Sequence, residues 1–143
     1  MMLTTKGRYA VMALLDIASE DPKKAVKLST ISDRQGIALN YLEQIFLKLK
    51  RAGIVNSVRG PGGGYLLTAD TASISIDQII DAVEESIDMT RCAGRGKGCM
   101  PKNLKCKAHD LWEGLSNKIR GYFQDISLKN VIDGKVFDAI SRS

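Results

Sequence analysis

The segment from Gly60 to Gly64 constrains the fold more than any other part of the chain, because it holds four glycines and one proline directly after Arg59. The stretches on either side, 54–58 and 65–68, are rich in β-branched, aromatic and leucine residues and have strand character. A turn of this composition has little bulk and tolerates positive φ angles, so it can approach another surface closely. The sequence therefore predicts a β-hairpin with a slim tip.

Three helical patterns precede this hairpin. Apolar residues at helical spacing predict a first helix over about 6–19. Ser29 or Thr30 can cap a brief second helix that Gly36 closes, and after a tight turn a third helix follows and ends at Gly53. Two helices joined by so short a turn form a helix-turn-helix candidate. The apolar stripe of the third helix consists of Leu42, Ile45, Phe46 and Leu49.

A helix-turn-helix followed by a hairpin is the arrangement of a winged helix, which places one helix in the DNA major groove and its wing along the backbone or in the minor groove. We therefore expect a mainly α-helical chain with a small β-hairpin, in which residues 1–70 form a winged helix-turn-helix domain. The third helix begins with amides that can pair with adenine and a carboxylate that can accept from cytosine. The alternative is an interaction module whose polar helix face is only solvated. The predicted contacts to double-stranded DNA are Thr4, Lys6, Arg8, Tyr9, Asn40, Tyr41, Glu43, Gln44, Lys48, Arg59, Gly60, Pro61 and Gly62.

The charges of the chain lie in blocks. The net formal charge is +5, and residues 1–70 carry +4, from ten basic and six acidic side chains. Residues 71–90 have five acidic and no basic side chains, whereas residues 91–107 have six basic and no acidic ones. A basic first half suits a phosphate partner, although a well-solvated surface explains the charge equally well.

The composition, with 44% apolar and 26% charged residues, is that of an ordinary folded domain. No apolar run approaches the roughly 18 to 20 residues that span a bilayer, and the N-terminal segment lacks a cleavage pattern. We therefore expect a cytoplasmic protein that does not contact a membrane.

Beyond the hairpin, a connecting helix and a loop are predicted. Ser75 and Gln78 have the pattern of a capping box at the start of a helix over 76–85, within the connecting segment 71–90. Residues 91–108 show no periodicity and are expected to form a loop. The acidic residues of the connecting helix, interpreted as a solvated face rather than as catalytic carboxylates, are Asp77, Asp81, Glu84 and Glu85.

The last segment, 109–143, has the pattern of a long helix. Its apolar residues are alternately three and four positions apart, which is typical of a helix that packs lengthwise on another helix. This face could fold back on the first domain, but we favour a self-complementary contact in a homodimer. A short helix capped by Ser127 follows. The predicted dimer contacts are Trp112, Leu115, Ile119, Tyr122 and Ile126.

All three cysteines and the only histidine of the chain lie close together, in the pattern Cys92-x6-Cys99-x6-Cys106-x2-His109. A disulfide would leave one thiol over and would be reduced in a cytoplasm, so metal binding is the better interpretation. Residue types alone favour zinc over an iron–sulfur cluster. The loop lacks the tight Cys-x2-4-Cys knuckle of most zinc sites, however, and its wide spacers suggest a larger object. Zinc, a cluster and incidental or redox-active thiols all stay open at this point.

Several motifs occur together in this chain. They are the opening 3–11, the segments 41–44 and 57–67, the residues 90–92 that begin the cysteine loop, and the continuation from His109 to Trp112. In these motifs the chain resembles the bacterial iron–sulfur cluster regulator (IscR) family over nearly its whole length.

This resemblance implies a homodimer crossed by the long C-terminal helix, one 2Fe–2S cluster per subunit, and repression of cluster-assembly genes when the cluster is present. It also implies that some promoters are bound without a cluster and that Glu43 helps to discriminate between classes of DNA site. The chain departs from the family pattern in its cysteine spacers, which have six residues instead of five, and at 38–40, where serines are common. Matched by position, the cluster ligands are Cys92, Cys99, Cys106 and His109.

Three other interpretations compete with this one. A nitric-oxide or redox sensor of the same architecture would hold a larger cluster, and the Cys-x2-His ending argues against it. A zinc-stabilised DNA-binding protein would have no sensing role. An enzyme or electron-transfer protein would need a substrate or docking site, and the sequence shows no convincing constellation of nucleophile, base and phosphate loop. We therefore expect neither catalysis nor a small-molecule substrate.

Overall fold

Helices make up most of the structure, a computed structural model that describes residues 4–90 and 98–141. The mainly helical chain with one small hairpin that the sequence predicts is confirmed. The elements in chain order are α1 (Thr5–Ala18), α2 (Leu28–Gln35), α3 (Leu39–Arg51), β1 (Val55–Val58), β2 (Gly64–Leu67), α4 (Ile76–Ala82), α5 (His109–Gln124), α6 (Leu128–Ile132) and α7 (Val136–Ser141), with 3₁₀ turns at Thr71–Ser73 and Pro101–Asn103.

The first three helices bury one face each, because apolar residues at helical spacing share one side of a helix. The connecting helix α4 packs against α1 and α3 and extends the same core. Among the side chains that become fully buried in this way are Leu14, Ile31, Leu42, Phe46, Leu49, Ile79 and Ile80.

A buried carboxylate joins α1 to α2. Asp16 accepts a hydrogen bond from Arg34 Nη1 at 3.1 Å and another from Gln35 Nε2 at 2.9 Å. Arg34 also pairs with Glu20 at 2.8 Å. Because a buried carboxylate needs such partners, these contacts fix the position of α2 against α1.

The hairpin is antiparallel, with Val55 opposite Leu67 and Val58 opposite Gly64. A third segment joins it, since Val26 and Tyr65 exchange backbone hydrogen bonds of 3.0 and 2.8 Å. The second strand of the hairpin is thus tied, close to the turn, to the chain that enters α2.

Two predicted helix boundaries are wrong. Helix α2 begins at Leu28, with Lys27 in an extended conformation before it, so neither Ser29 nor Thr30 is its cap. Helix α4 has the predicted capping box at Ser75, but it ends at Ala82 instead of residue 85. In the first case the pairing of the hairpin with the preceding chain sets where the helix can start, which the local sequence does not show.

The C-terminal part returns to the first core. The N–H of Leu128 donates to the carbonyl of Ile74 at 2.9 Å, and the N–H of Ile76 donates to that of Ile126 at 2.9 Å. Ser127 forms the predicted cap of α6, as a capping box with Asn130. Residues 126–128 therefore pack beside the start of α4.

Within the described ranges, no helix is both long and apolar enough to cross a membrane.

Candidate nucleic-acid interface and metal centre

The outer face of α3 is polar near its start. Asn40, Glu43 and Gln44 are exposed, because the apolar stripe of the helix turns the opposite face to the core. A winged helix presents this outer face to the major groove. The structure thus places these three predicted base contacts on a surface that a groove can reach.

Leu47 lies on the same face and was missed by the sequence analysis. Its side chain is 50% exposed, and it is one helical turn beyond Glu43. An apolar side chain in the major groove can contact a thymine methyl group. Its position outside the buried stripe of α3 was the signal that could have identified it.

Tyr9 and Tyr41 join α1 to α3. Their rings meet edge to face, with centroids 5.7 Å apart, and the Tyr41 hydroxyl lies 3.3 Å from Thr5 Oγ1. Both side chains are half-buried. The contact aligns the start of α1 with the outer face of α3.

Three of the predicted DNA contacts, at the start of α1 and on α3, touch the turn that follows α4. The Thr4 hydroxyl donates to the Glu85 carboxylate, and Lys6 Nζ donates to the backbone carbonyl of Glu84 at 3.3 Å. Lys48 Nζ pairs with Glu84 Oε2 at 3.0 Å. The acidic pattern of residues 71–90 does not indicate that residues 84 and 85 reach this surface.

The interpretation of Glu85 as part of a solvated face is wrong. Its side chain is buried, and its carboxylate accepts the N–H of Gly7, in the first turn of α1, at 2.9 Å. Thr4, at the usual capping position, makes no side-chain cap of its own. Glu85 therefore takes the place of the helix cap, where a negative charge is favourable.

The other acidic side chains of α4 are partly paired instead of only solvated. Arg120 of α5 lies 3.5 Å from both Asp77 and Asp81. These contacts, with the apolar packing between the two helices, hold α5 against α4.

Burial raises the pKa of Glu85, but the hydrogen bonds from Thr4 and Gly7 lower it more, so the pKa lies below its ordinary value. A lowered carboxyl pKa stabilises the fold above the ordinary value near 4.5, and this contribution is lost as the pH falls through the folded-state pKa. We expect Glu85→Gln to lower the free energy of unfolding at pH 7 by about 0.5 to 1 kcal/mol. The loss should shrink toward zero under acid conditions.

Urea unfolding at pH 7 and at acid pH measures this effect. Asp33→Asn, at an exposed position of α2, is the matched control and should change stability little at either pH. An equal loss for Glu85→Gln at both pH values would contradict the role of its charge.

The tip of the hairpin is exposed from Arg59 to Gly62. Gly60 and Gly62 have φ angles of +89° and +76°, and the N–H of Gly63 donates to the carbonyl of Gly60 at 2.9 Å. Lys50 Nζ donates to Ser57 Oγ at 2.7 Å and ties α3 to the hairpin. The tip, which includes the predicted contact Pro61, therefore projects as a thin turn that carries Arg59. The predicted contact Arg8 on α1 is exposed as well.

Two of the predicted metal ligands are buried side by side. Cys99 Sγ lies 3.3 Å from His109 Nδ1, and each residue is 6% exposed. The N–H of Cys106 donates to Cys99 Sγ at 3.1 Å. The structure thus brings three of the four predicted ligand residues together, while Cys92 lies outside the described residues.

A tight turn in the second cysteine spacer produces this arrangement. The N–H of Met100 donates to the carbonyl of Leu104 at 2.9 Å, and Lys102 takes a positive φ of +65° between them. The chain therefore reverses between Cys99 and Cys106. His109 then begins α5, with its N–H donating to the carbonyl of Cys106 at 3.0 Å.

The two thiols differ in their electrostatic surroundings. The hydrogen bond from the Cys106 N–H outweighs burial and lowers the pKa of Cys99 to about 7. The pKa of Cys106 is raised, because its thiol is hydrogen-bonded to Cys99 and is partly desolvated. Cys99 is therefore the readier thiolate.

The donor set fits a soft or borderline metal. Sulfur and imidazole nitrogen suit zinc or an iron–sulfur cluster, whereas calcium and magnesium prefer oxygen. A second cluster of possible metal ligands adjoins the site, since ligand atoms of His109, Asp110 and Glu113 lie within 4.8 Å of one another. Glu113 Oε2 is 3.8 Å from His109 Nε2.

Helix α5 exposes an apolar face, but two of the five predicted dimer contacts, Ile119 and Ile126, turn inward. Ile119 packs partly on the core of its own chain. Ile126 lies beyond the end of α5 and is only 2% exposed, so its prediction as a dimer contact is wrong. The exposed apolar side chains of α5 are Leu111, Trp112, Leu115 and Tyr122.

The family model of Rrf2, described as an iron-dependent transcriptional regulator, matches residues 3–134. The chain belongs to the Rrf2 family. It is 49% identical to the HTH-type transcriptional regulator IscR of Escherichia coli over 99% of this chain and 87% of that protein. As a member of Rrf2, it is a DNA-binding transcriptional regulator and not an enzyme.

Solved structures agree with the Rrf2 assignment. IscR of T. potens has a TM-score of 0.76 and 30% identity, and the match covers 94% of this chain and 88% of that one. CymR of B. subtilis, the global cysteine regulator, has a TM-score of 0.75 and 22% identity, with 93% and 97% coverage, and supports the fold alone. The winged helix followed by a C-terminal helix is thus the shared Rrf2 architecture.

Proposed function

We propose that this Rrf2 regulator senses an iron–sulfur cluster and, as a cytoplasmic homodimer, represses genes of cluster assembly when the cluster is bound. It binds some promoters without a cluster. The cluster is of the 2Fe–2S type, with one in each subunit. Its ligands are Cys92, Cys99, Cys106 and His109.

The observation that carries this proposal is the contact between Cys99 and His109. A buried thiol and an imidazole meet there at 3.3 Å, and the N–H of Cys106 stabilises the thiolate. Three thiolates and one imidazole offer the four ligands that a 2Fe–2S cluster needs. IscR of E. coli, a relative over nearly the whole chain, supports the same assignment.

The chain divides into four parts in this proposal. Residues 1–70 contact DNA, 71–90 connect, 91–108 hold the ligands and 109–143 form the dimer contact. When bound, the cluster supplies a redox-active and labile group whose presence depends on iron supply and oxidants. The four parts together therefore report that supply as a change in DNA binding.

Two hydrogen bonds connect the segment after α4 to α5 on one side and to the start of α1 on the other. Ser116 of α5 accepts the N–H of Met89 at 2.7 Å, so the helix that begins with His109 holds the segment after α4. Glu85, four residues earlier, holds the start of α1. Binding at the ligand loop can thus bias the placement of the DNA-contacting residues through two packed helices.

The exposed side chains of α5 support the homodimer. Leu111, Trp112, Leu115 and Tyr122 are large apolar groups on one helix. A second copy of the same helix could cover them in a two-fold contact. The two copies of α3, each with its hairpin tip, would then face two half-sites of one DNA duplex.

Anaerobic purification of the full chain tests the cluster assignment. We expect red-brown protein with iron and sulfide in equal amounts, visible absorption, and a paramagnetic signal after one-electron reduction. Replacing all three cysteines with alanine should remove the colour and change the affinity for some DNA sites.

Stoichiometric zinc without visible absorption would reject the cluster and favour a zinc-stabilised regulator, which the same donor set could hold. A larger cluster would indicate a nitric-oxide or redox sensor of the same architecture. Equal DNA affinity of the wild type and the triple cysteine variant at every natural site would show that the loop does not control DNA binding.

A further inference from the structure

The turn after α4 directs two adjacent carboxylates to two different elements of the DNA-contacting half. Glu84 has a φ of +58°, which non-glycine residues seldom adopt. This conformation ends α4, and Glu85 then reaches the first turn of α1. Glu84 instead reaches Lys48 on α3, so one turn touches both helices.

Glu85 anchors this turn. Its carboxylate is buried and holds Thr4 and Gly7 at the start of α1. Ile87, two residues later, is also buried. Glu84 is thus attached to fixed neighbours on its C-terminal side, although its own side chain is 75% exposed.

The partners of Glu84 are two lysines that are among the predicted DNA contacts, Lys6 and Lys48. Its carboxylate lies 3.0 Å from Lys48 Nζ, and its backbone carbonyl accepts a hydrogen bond from Lys6 Nζ at 3.3 Å. The hydrogen bond from Lys48, together with Coulomb attraction to the same ammonium group, also lowers the pKa of Glu84. A DNA phosphate would approach the same ammonium groups, since lysine binds phosphate as a point charge.

We propose that Glu84 is an intramolecular competitor of DNA phosphate for Lys48 and thereby limits the affinity of the protein for DNA. The inference rests on the proposed role of Lys48 as a phosphate contact. Free protein keeps the Lys48 ammonium paired, and DNA binding must break that pair before the phosphate can take its place. Glu84 also places a negative charge beside the path of the DNA backbone.

The test compares DNA affinities of full-length variants by fluorescence anisotropy at several salt concentrations. The probe is a duplex selected by the wild-type protein from a random-sequence pool. We expect Glu84→Gln to bind this duplex about two to five times more tightly than wild type, the range set by exposed ion pairs. Asp70→Asn removes the same charge from an exposed loop position after β2 and should leave affinity unchanged.

A double-mutant cycle separates competition for Lys48 from a general effect of charge. We expect Lys48→Ala to weaken binding and to reduce the slope of log affinity against log salt by about 0.9, the value for one phosphate contact. In the Lys48→Ala background, Glu84→Gln should no longer tighten binding.

Three outcomes overturn the proposal, and they differ in whether they also contradict the role of Lys48 as a phosphate contact. If Lys48→Ala binds DNA like wild type, both the phosphate contact and the competition by Glu84 are contradicted. If Lys48→Ala weakens DNA binding but Glu84→Gln does not tighten it, only the competition by Glu84 is contradicted. Equal tightening by Glu84→Gln with and without Lys48 would show a general charge effect instead.

Discussion

Replacing Gly64 with alanine is expected to lower the free energy of unfolding by about 3 to 5 kcal/mol, from backbone strain and overpacking together. Gly64 has a φ of +141°, which side-chain-bearing residues rarely adopt. A Cβ there would lie 2.3 Å from the carbonyl carbon and oxygen of Val26 and 2.7 Å from Lys27 N. Because these atoms are backbone, relief requires breaking the pairing of Val26 with Tyr65.

Gly62→Ala is the matched control for this prediction. Gly62 also has a positive φ, of +76°, but a Cβ there would meet nothing within 4 Å. Only backbone strain then remains, so we expect a loss of about 1 to 2 kcal/mol. Urea unfolding of both variants measures the difference, and equal losses would contradict the close approach at Gly64.

Replacing Cys99 with alanine is expected to remove almost all bound iron and sulfide. Cys99 is the buried thiol that contacts His109 and accepts the N–H of Cys106, and its lowered pKa makes it the readiest thiolate of the described residues. Alanine offers no ligand atom. Metal and sulfide analysis after anaerobic purification, with visible absorption, measures the loss.

Two carboxylate variants serve as controls for Cys99→Ala. Asp110→Asn and Glu113→Gln alter the two carboxylates of the second cluster of possible ligands, which also includes His109, and both side chains are exposed. If thiolates hold the metal, these variants retain most of it, since changes around the ligands typically weaken binding only about 10- to 100-fold. Metal lost from Glu113→Gln but retained by Cys99→Ala would place the site on the carboxylates.

Local patterns explain why much of the fold could be predicted. The capping boxes at Ser75 and Ser127, the apolar stripe of α3 and the glycine-rich turn each depend on residues a few positions apart. The cysteine pattern likewise predicted that Cys99 and His109 lie close together, because both are in one short segment. In each case the information and the interaction are close in sequence.

The contacts that the sequence analysis missed are long-range. Glu85 reaches residues 78 and 81 positions away, and nothing in the acidic pattern of 71–90 distinguishes it from its neighbours. Ile126 continues the spacing of α5, yet the chain leaves the helix at residue 124 and Ile126 enters the core. Spacing shows which residues share a face, and only packing shows whether that face continues.

The glycine-rich turn illustrates this division. The sequence by itself determined that residues 60–64 make a slim turn between two strands, because their conformational preferences are local. Only the tertiary structure decided that Gly64 lies against the backbone of Val26. It likewise decided that Glu85 contacts the start of α1 and that Glu84 pairs with Lys48. Those contacts depend on how helices separated in sequence pack together, and no local preference encodes that packing.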